Sequence, residues 1–251
     1  MVENCVGSLV FGRVDALTRL WRTLAFGYPS ATLREFGPGH IRVTIPKSRK
    51  GWRSKPGQYI FIYFIRPTTF WQSHPFSVLD LDDGDDSFTV VMSVKEGITL
   101  GLKRYIQDFV EAKIRVAVEG PYGEAIHYNN YDNILLLAGG MVLPDTYLER
   151  QGIAKLVWSV RDVGLIISYS KEILSLIERG VELEIHLTGE WSPSDSTENQ
   201  PGEGSLITEL MSQIPIKSRK RPDLMGIIDD SHWKMAPYWL RLVVHLSLLI
   251  M

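Results

Sequence analysis

Cysteine is almost missing from this chain: Cys5 is the single one among 251 residues. One thiol excludes a disulfide framework and a thiolate zinc site, and it points to a reducing compartment. A basic excess is missing as well. Lys and Arg number 27 against 29 Asp and Glu, a net charge of −2, so the electrostatic footprint of a nucleic-acid-binding protein is not there. No apolar run approaches the roughly 20 residues that span a bilayer. The apolar close, Tyr238 to Met251, is short and carries Arg241 and His245; it reads first as a buried strand and second as a membrane-surface segment. The opening MVENCVGSLVFGRVDALTRL lacks the charged region that precedes the apolar core of a signal peptide. The six histidines include no pair at i, i+3 or i, i+4, which argues against a metal site.

What remains is an ordinary globular balance, 45% hydrophobic and 22% charged, in a length suited to one large domain or two small ones. The first half reads as β. GHIRVTIP alternates Ile41, Val43 and Ile45 with polar neighbours, KPGQYIFIYF follows a Pro-Gly turn, and SFTVVMSV and KIRVAVEG alternate again. Short strands between turn signals such as DLDDGDDS predict an antiparallel barrel or sandwich. GITLGLKRYIQDFV predicts one helix, with Thr99 as its N-cap and Leu102, Tyr105, Ile106 and Phe109 on one face. The second half changes rhythm: NILLLAGG, KLVWSV and VELEIHL are continuous apolar runs, and GLIISYSKEILSLIERG is helical. That βαβ order predicts a parallel sheet. Residues 191 to 205 are a Pro/Gly-rich loop, and Lys217 to Pro222 a solvated basic one. The border between the halves falls near 128–133.

Four short stretches could carry chemistry. SHPFS, residues 73 to 77, puts a proline where a strand is running, and proline, lacking an N–H, belongs on an edge or a bulge. KEGIT opens a helix, whose free N–H groups can bind phosphate. EGPYG places two glycines after a strand. LLLAGG ends a parallel strand in Gly139 and Gly140, which lets a ligand approach the sheet's carboxyl edge. Singly, each has a plain reading as a strand edge, a capped helix or a turn.

In this order and spacing, together with PGQYIFIYF, WSVRD and RPDL, they resemble the flavin dehydrogenase region of the fungal ferric-chelate reductases and their NADPH oxidase relatives, of the ferredoxin–NADP reductase type. The resemblance runs from about Arg19 to about Leu224. It implies an antiparallel FAD-binding barrel at 29–127, an incomplete Rossmann-like, NADPH-binding α/β domain at 131–251, and a juxtamembrane-like amphipathic segment at 1–28. It implies that Phe76 lies against the isoalloxazine and that the Ser77 hydroxyl, the catalytic candidate, lies near the flavin's redox nitrogen. His74 would stand on the phosphate-ribose side, with Pro75 opening the strand edge. Gly97 and Thr99 would cradle the FAD pyrophosphate. Gly120, Pro121 and Gly123 would floor the nicotinamide site, Gly139 and Gly140 would face the NADPH pyrophosphate, and Arg161 would reach its ribose or phosphate.

The implied activity passes electrons from NADPH through FAD to ferric iron, as a chelate, or to a haem-bearing membrane partner. The implied place is the cytosolic face of a membrane, peripheral or soluble, with no transmembrane segment of its own. Three departures from the family stand out. Its haem-ligating membrane domain is absent, and only 14 residues separate Gly140 from Lys155. A Cys-Gly-Pro strand is also missing, its place either taken by LRLVVHLSLLI or empty. The losses resemble a truncated isoform or a misassembled gene model. They leave a second reading open, that of a non-catalytic remnant that binds FAD or a partner chain.

Overall fold

A computed structural model describes residues 17–19, 21–37, 39–47, 52, 54, 58–67, 69–79, 86–107, 111–123, 133–140, 154–189, 216–218, 221–223, 226–227 and 239–244. Six antiparallel strands come first: β1 (Ser30–Glu35), β2 (His40–Pro46), β3 (Tyr59–Phe64), β4 (Ser73–Ser77), β5 (Ser87–Ser93) and β6 (Ala112–Tyr122). Their order across the sheet is β4-β3-β6-β1-β2-β5. The two ends meet through Leu79 and Thr89, whose backbone N–H and C=O groups exchange bonds of 2.8 and 2.9 Å, so the sheet closes into a barrel. Alternation explains the burial. Ile60, Ile62 and Phe64 on β3 are fully buried, whereas Tyr59, Phe61 and Tyr63 point to the outer face and are half-buried. The outer face of β3 thus carries aromatic rings, two of them tyrosines.

Helix α1 (Ile98–Gln107) lies between β5 and β6 and buries Ile98, Leu102 and Ile106. Phe109 lies outside the described residues. Thr99 is not the N-cap that the sequence predicted. The helix already begins at Ile98, and the buried Thr99 hydroxyl turns back to Lys95, accepting from its N–H at 2.8 Å and donating to its C=O at 3.0 Å. It ties down the loop before the helix instead of capping the helix itself.

The second sheet is parallel throughout, in the order β10-β9-β8-β7-β11, from β7 (Asn133–Gly139), β8 (Ala154–Val160), β9 (Glu182–Leu187), β10 (Ile216–Ser218) and β11 (Trp239–Val244). One of these strands corrects the sequence reading, and another agrees with it. Ile216–Ser218 is an edge strand, although Lys217 was assigned to a solvated loop. Trp239–Val244 pairs in parallel with β7 from Asn133 to Ala138, so the apolar close supplies the last strand. The helical run predicted after β8 is two short helices, α2 (Val163–Ser168) and α3 (Ser170–Glu178). Tyr169 stands between them, fully buried, with its ring 4.7 Å from Phe36 and 5.8 Å from Trp158. The short connection after Gly140, residues 141–153, lies outside the described residues, as do 191–205.

Barrel and parallel sheet share one core. Phe36, Leu79 and Val91 from the barrel pack into the same buried cluster as Trp158, Leu165, Tyr169 and Ile173. At its rim Arg42 lies 4.0 Å over the Phe36 ring and makes a 2.6 Å bond to Glu172, both side chains being half-buried. Gly37 belongs to the same seam. Its φ is +69°, and a Cβ there would stand 2.6 Å from Ser168 Oγ and 3.2 Å from the Gly164 carbonyl oxygen.

Two outcomes follow for the seam. Gly37→Ala should destabilise the protein by about 1–3 kcal/mol, from left-handed backbone strain and crowding against α2; a melting curve unchanged from wild type would remove the seam's steric argument. A double-mutant cycle with Arg42→Ala and Glu172→Ala should give a coupling of about 1–2 kcal/mol, above that of an exposed pair. Additive losses would mean that the pair adds nothing to the join.

Candidate functional site

Strand β4 is SHPFS itself, at one end of the strand order, where Pro75 removes no ladder bond that a central strand would need. Its register places Ser77 opposite Tyr59, Phe76 opposite Ile60, Pro75 opposite Phe61 and His74 opposite Ile62. Alternate side chains therefore go to opposite faces. Ser77 shares the outer face with Tyr59, which in turn pairs with Tyr122 of β6, so the SHPFS and EGPYG motifs meet in one cross-strand row. Phe76 points the other way. It is 6% exposed and packed in the barrel core with Ile60, Phe88 and Leu102. The hydroxyl of Ser77 makes no hydrogen bond to any other described residue, and the residue is nearly buried.

The connection from β3 to β4, and β4 itself, hold more unengaged polar groups. Thr69 Oγ1 and His74 Nε2 are buried without a hydrogen-bond partner. Burial holds the His74 imidazole below its ordinary pKa of 6.5, which favours the neutral ring. The Arg66 guanidinium lies 5.8 Å over the Tyr105 ring of α1, with Nη1 3.3 Å from where a Cβ on Gly101 would stand. Arg66 and Thr69 were not singled out in the sequence. The clue was there in RPTTFWQSHPFS, which carries a cation and two hydroxyls just ahead of the proline-bearing strand.

Glu119 is the second residue that sequence reasoning passed over. It is 2% exposed, yet it accepts hydrogen bonds from Tyr63 at 2.9 Å and Tyr122 at 2.6 Å, and Arg19 Nε stands 3.5 Å away. Burial first, and then the Glu119 carboxylate, push both phenols above their usual pKa, so both stay protonated and donate. Next to it, Gly120 has φ of +134°, and a Cβ there would press on Ile60, Tyr122 and the Tyr59 carbonyl at 3.2–3.3 Å. Glycine is required there because β3 and β6 shift register between Tyr59 and Phe61. Pro121 and Gly123 continue the same turn, and Gln58 Nε2 donates to the Gly123 carbonyl at 3.0 Å.

On the parallel sheet, Gly139 and Gly140 close β7, between β8 and β11. The strand order reverses at this point, the position at which open α/β sheets take their ligands. A Cβ on Gly139 would meet nothing within 4 Å, so there is open room at the strand's carboxyl end. Gly140 is fixed from both sides: its N–H donates to Ser159 at 2.9 Å, and its C=O accepts from Trp158 Nε1 at 3.1 Å. Arg161, exposed, follows β8, just before Asp162 caps α2 through Gly164 N–H at 2.8 Å. No hydrogen bond among the described residues joins these groups to the barrel motifs. The link is the shared core, which holds Leu79, two residues past Ser77, and Trp158, which grips Gly140.

These groups suit an anionic dinucleotide. A pyrophosphate needs donors, and Arg66, Thr69, His74 and the N–H groups opening α1 after Gly97 are donors without a full set of partners. Gly139 leaves the space that a second nucleotide needs.

The comparisons agree with this geometry. Residues 25–126 match the model of an FAD-binding domain. Ferric reductase transmembrane component 5 of Saccharomyces cerevisiae is 36% identical over 247 residues, covering 91% of this chain and 36% of that protein. Ferric reductase transmembrane component 3 of the same yeast is 34% identical, covering 85% and 33%. The chain thus spans about a third of the length of these relatives. Among solved structures, a ferredoxin NADP+ reductase from Neisseria gonorrhoeae with bound FAD and NADP superposes with a TM-score of 0.57 at 14% identity, over 86% of this chain and 84% of that one. The ferredoxin reductase in carbazole 1,9a-dioxygenase gives 0.52 at 13% identity, over 86% and 69%. The fold is that of the ferredoxin–NADP reductases, and the chain belongs, by its sequence, with the FAD-binding region of the ferric-chelate reductases.

Proposed function

We propose that this chain passes electrons from NADPH through FAD to ferric iron or to a haem-bearing membrane partner. The observation that carries the reading is the unbonded Ser77 hydroxyl on an edge strand, joined through one buried core to the open carboxyl end of β7. A bound flavin would supply the step from paired to single electrons, and the protein supplies orientation and electrostatics.

In this reading residues 29–127 hold FAD and residues 131–251 hold NADPH. Arg66, Thr69, His74, Gly97 and the first turn of α1, with Thr99 bracing the loop, take the FAD pyrophosphate. Ser77 presents a hydroxyl that can donate or accept at the redox nitrogen. Pro75 keeps the strand edge clear, and Phe76 shapes the wall from inside the barrel, offering the flavin at most its ring edge. Gly120, Pro121 and Gly123 floor the nicotinamide site. Gly139, Gly140 and Arg161 take the second pyrophosphate and ribose. The working place in this reading is the cytosolic face of a membrane; the relatives' names as transmembrane components support the membrane, although no helix among the described residues is long and apolar enough to cross one.

Ser77→Ala tests the core of the reading. Reconstituted with FAD and mixed anaerobically with NADPH, the wild type should bleach its flavin absorbance. The variant should keep its flavin and bleach on the order of 100-fold more slowly, the lower end of what a positioned proton donor or acceptor contributes. Equal rates would remove Ser77 from the chemistry. A wild type that binds FAD but is never reduced would favour the non-catalytic remnant. Phe76→Ala is a poor probe of flavin contact, because emptying a core site of that size costs about 3–5 kcal/mol by itself.

His74 gives a pH signature. Its folded pKa lies below the unfolded value, so the neutral ring contributes stability that is present above pH 6.5 and is lost as pH falls through the lowered value. The melting temperature of the FAD-free protein should fall across that window, and His74→Gln should remove that part of the fall. Parallel curves for the two proteins would show that His74 is not held neutral.

A further inference from the structure

Gly189, two residues past β9, lies against the backbone of Arg161. A Cβ on it would stand 2.0 Å from the Arg161 carbonyl oxygen, 3.0 Å from the carbonyl carbon and 3.1 Å from Arg161 Cγ. The two nearer atoms are main chain, which cannot swing aside as the end of a side chain can. The φ of Gly189 is not left-handed, so space alone demands glycine here. Thr188 tightens the same join: its N–H and its hydroxyl both donate to the Val160 carbonyl, at 2.8 and 3.2 Å. On the other side of Arg161, the Asp162 carboxylate accepts from Gly164 N–H at 2.8 Å and caps α2. The backbone at Arg161 is thus held from both sides. Its side chain is exposed, and the guanidinium has no hydrogen bond or ion pair with any described residue.

Its place in the sheet says what such a cation can meet. Gly139 pairs with Ser159 and Val160 with Leu187, so Arg161 leaves β8 beside the glycine end of β7. It follows that end by about 20 residues and stands on the neighbouring strand, where a dinucleotide-binding sheet reads the adenine ribose. A carboxylate in that place accepts from a 2′-hydroxyl, whereas an arginine takes a 2′-phosphate. The adjacent carboxylate, Asp162, is engaged by the α2 cap and does not compete.

We infer that Gly189 is a positioning residue for nucleotide choice. By admitting the Arg161 carbonyl where a side chain would stand, it aims the guanidinium at the 2′-phosphate of the adenine ribose and so favours NADPH over NADH. A side chain at 189 would push the backbone at Arg161 away and carry the guanidinium with it, and a planar donor fork on phosphate depends on direction as well as distance. The inference rests on the reading of residues 131–251 as the NADPH-holding half.

Calorimetric titration of the full chain, with FAD present, against NADP+ and NAD+ tests it; both nucleotides and the flavin are oxidised, so no electron moves. The wild type should prefer NADP+. Gly189→Ala should weaken NADP+ on the order of 10-fold, the share of a charge-assisted contact, and leave NAD+ within about 2-fold. Arg161→Ala should act likewise, and the double variant should lose no more than Arg161→Ala alone, because the glycine works only through the arginine. A merely structural glycine would weaken both nucleotides and add its loss to that of the arginine. Unchanged NADP+ binding in Gly189→Ala, equal losses for the two nucleotides, or additive losses in the double variant overturns the inference. If Gly189→Ala does not fold, Thr188→Val, which removes only the hydroxyl bond to Val160, should still lower the preference for NADP+; an unchanged preference overturns the inference. A wild type that binds neither nucleotide would defeat the NADPH reading itself, and this inference with it, whereas a wild type that binds NADP+ leaves that reading standing whatever the Gly189 variant does.

Discussion

The electron-transfer reading depends on one seam, the packing of Phe36 and Arg42 from the barrel against Tyr169 and Glu172 of the α/β half. Electron transfer between two cofactors is a problem of placement, and small misplacements are expensive, on the order of 100-fold in rate for about 1 Å. A flexible linker would leave that placement to chance. Here Leu79, two residues after Ser77, and Trp158, which holds the Gly140 carbonyl, lie in the same buried cluster. The edge of the barrel and the carboxyl end of β7 are thus fixed through close-packed side chains, which transmit position faithfully because they leave little free volume.

The seam also explains why the break after Ser168 falls where it does. A continuous helix would carry the residue 169 side chain around a regular turn. The fully buried Tyr169 ring instead sits between Phe36 and Trp158, and α2 and α3 are arranged around it. Gly37 lets the barrel approach α2 closely enough for this to happen.

Much of the fold was legible from local pattern, because alternation and apolar runs are local signals. The strands from His40 to Pro46, Ser87 to Ser93 and Asn133 to Gly139 stand where periodicity put them. β10 was not legible, since three residues, Ile216–Ser218, in a basic stretch have no period to read. Thr99 was misread because an N-cap and a hydroxyl bonded back to Lys95 look alike in sequence; only the helix start at Ile98 separates them. Within the candidate site, residues with unusual backbone demands, Pro75, Gly120 and Gly140, are conspicuous in the sequence by residue type alone. Glu119, Arg66 and Thr69 were missed because their interest comes from burial and from partners distant in the chain, Tyr63 and Arg19 for Glu119 and Tyr105 for Arg66. The direction of Phe76 was missed for a related reason: a motif names a side chain, but strand register decides which face receives it.

A pattern in the polar groups ties these observations together. Several polar groups that brace the fold are bonded: Thr99 to Lys95, Asp162 to Gly164, Trp158 to Gly140 and Glu119 to two tyrosines. Buried polar atoms without partners are costly and correspondingly rare. Of those found here, Thr69 Oγ1 and His74 Nε2 lie within six residues of one another, on the approach to Ser77, whose own hydroxyl is unengaged. Other unpartnered buried atoms, such as Arg42 Nε and Trp52 Nε1, lie elsewhere, but Thr69 and His74 stand together on the approach to Ser77, in the stretch that also carries the Arg66 held over α1. A ligand rich in acceptors would meet these groups, and its binding would stabilise the barrel edge that proline has left without a complete ladder.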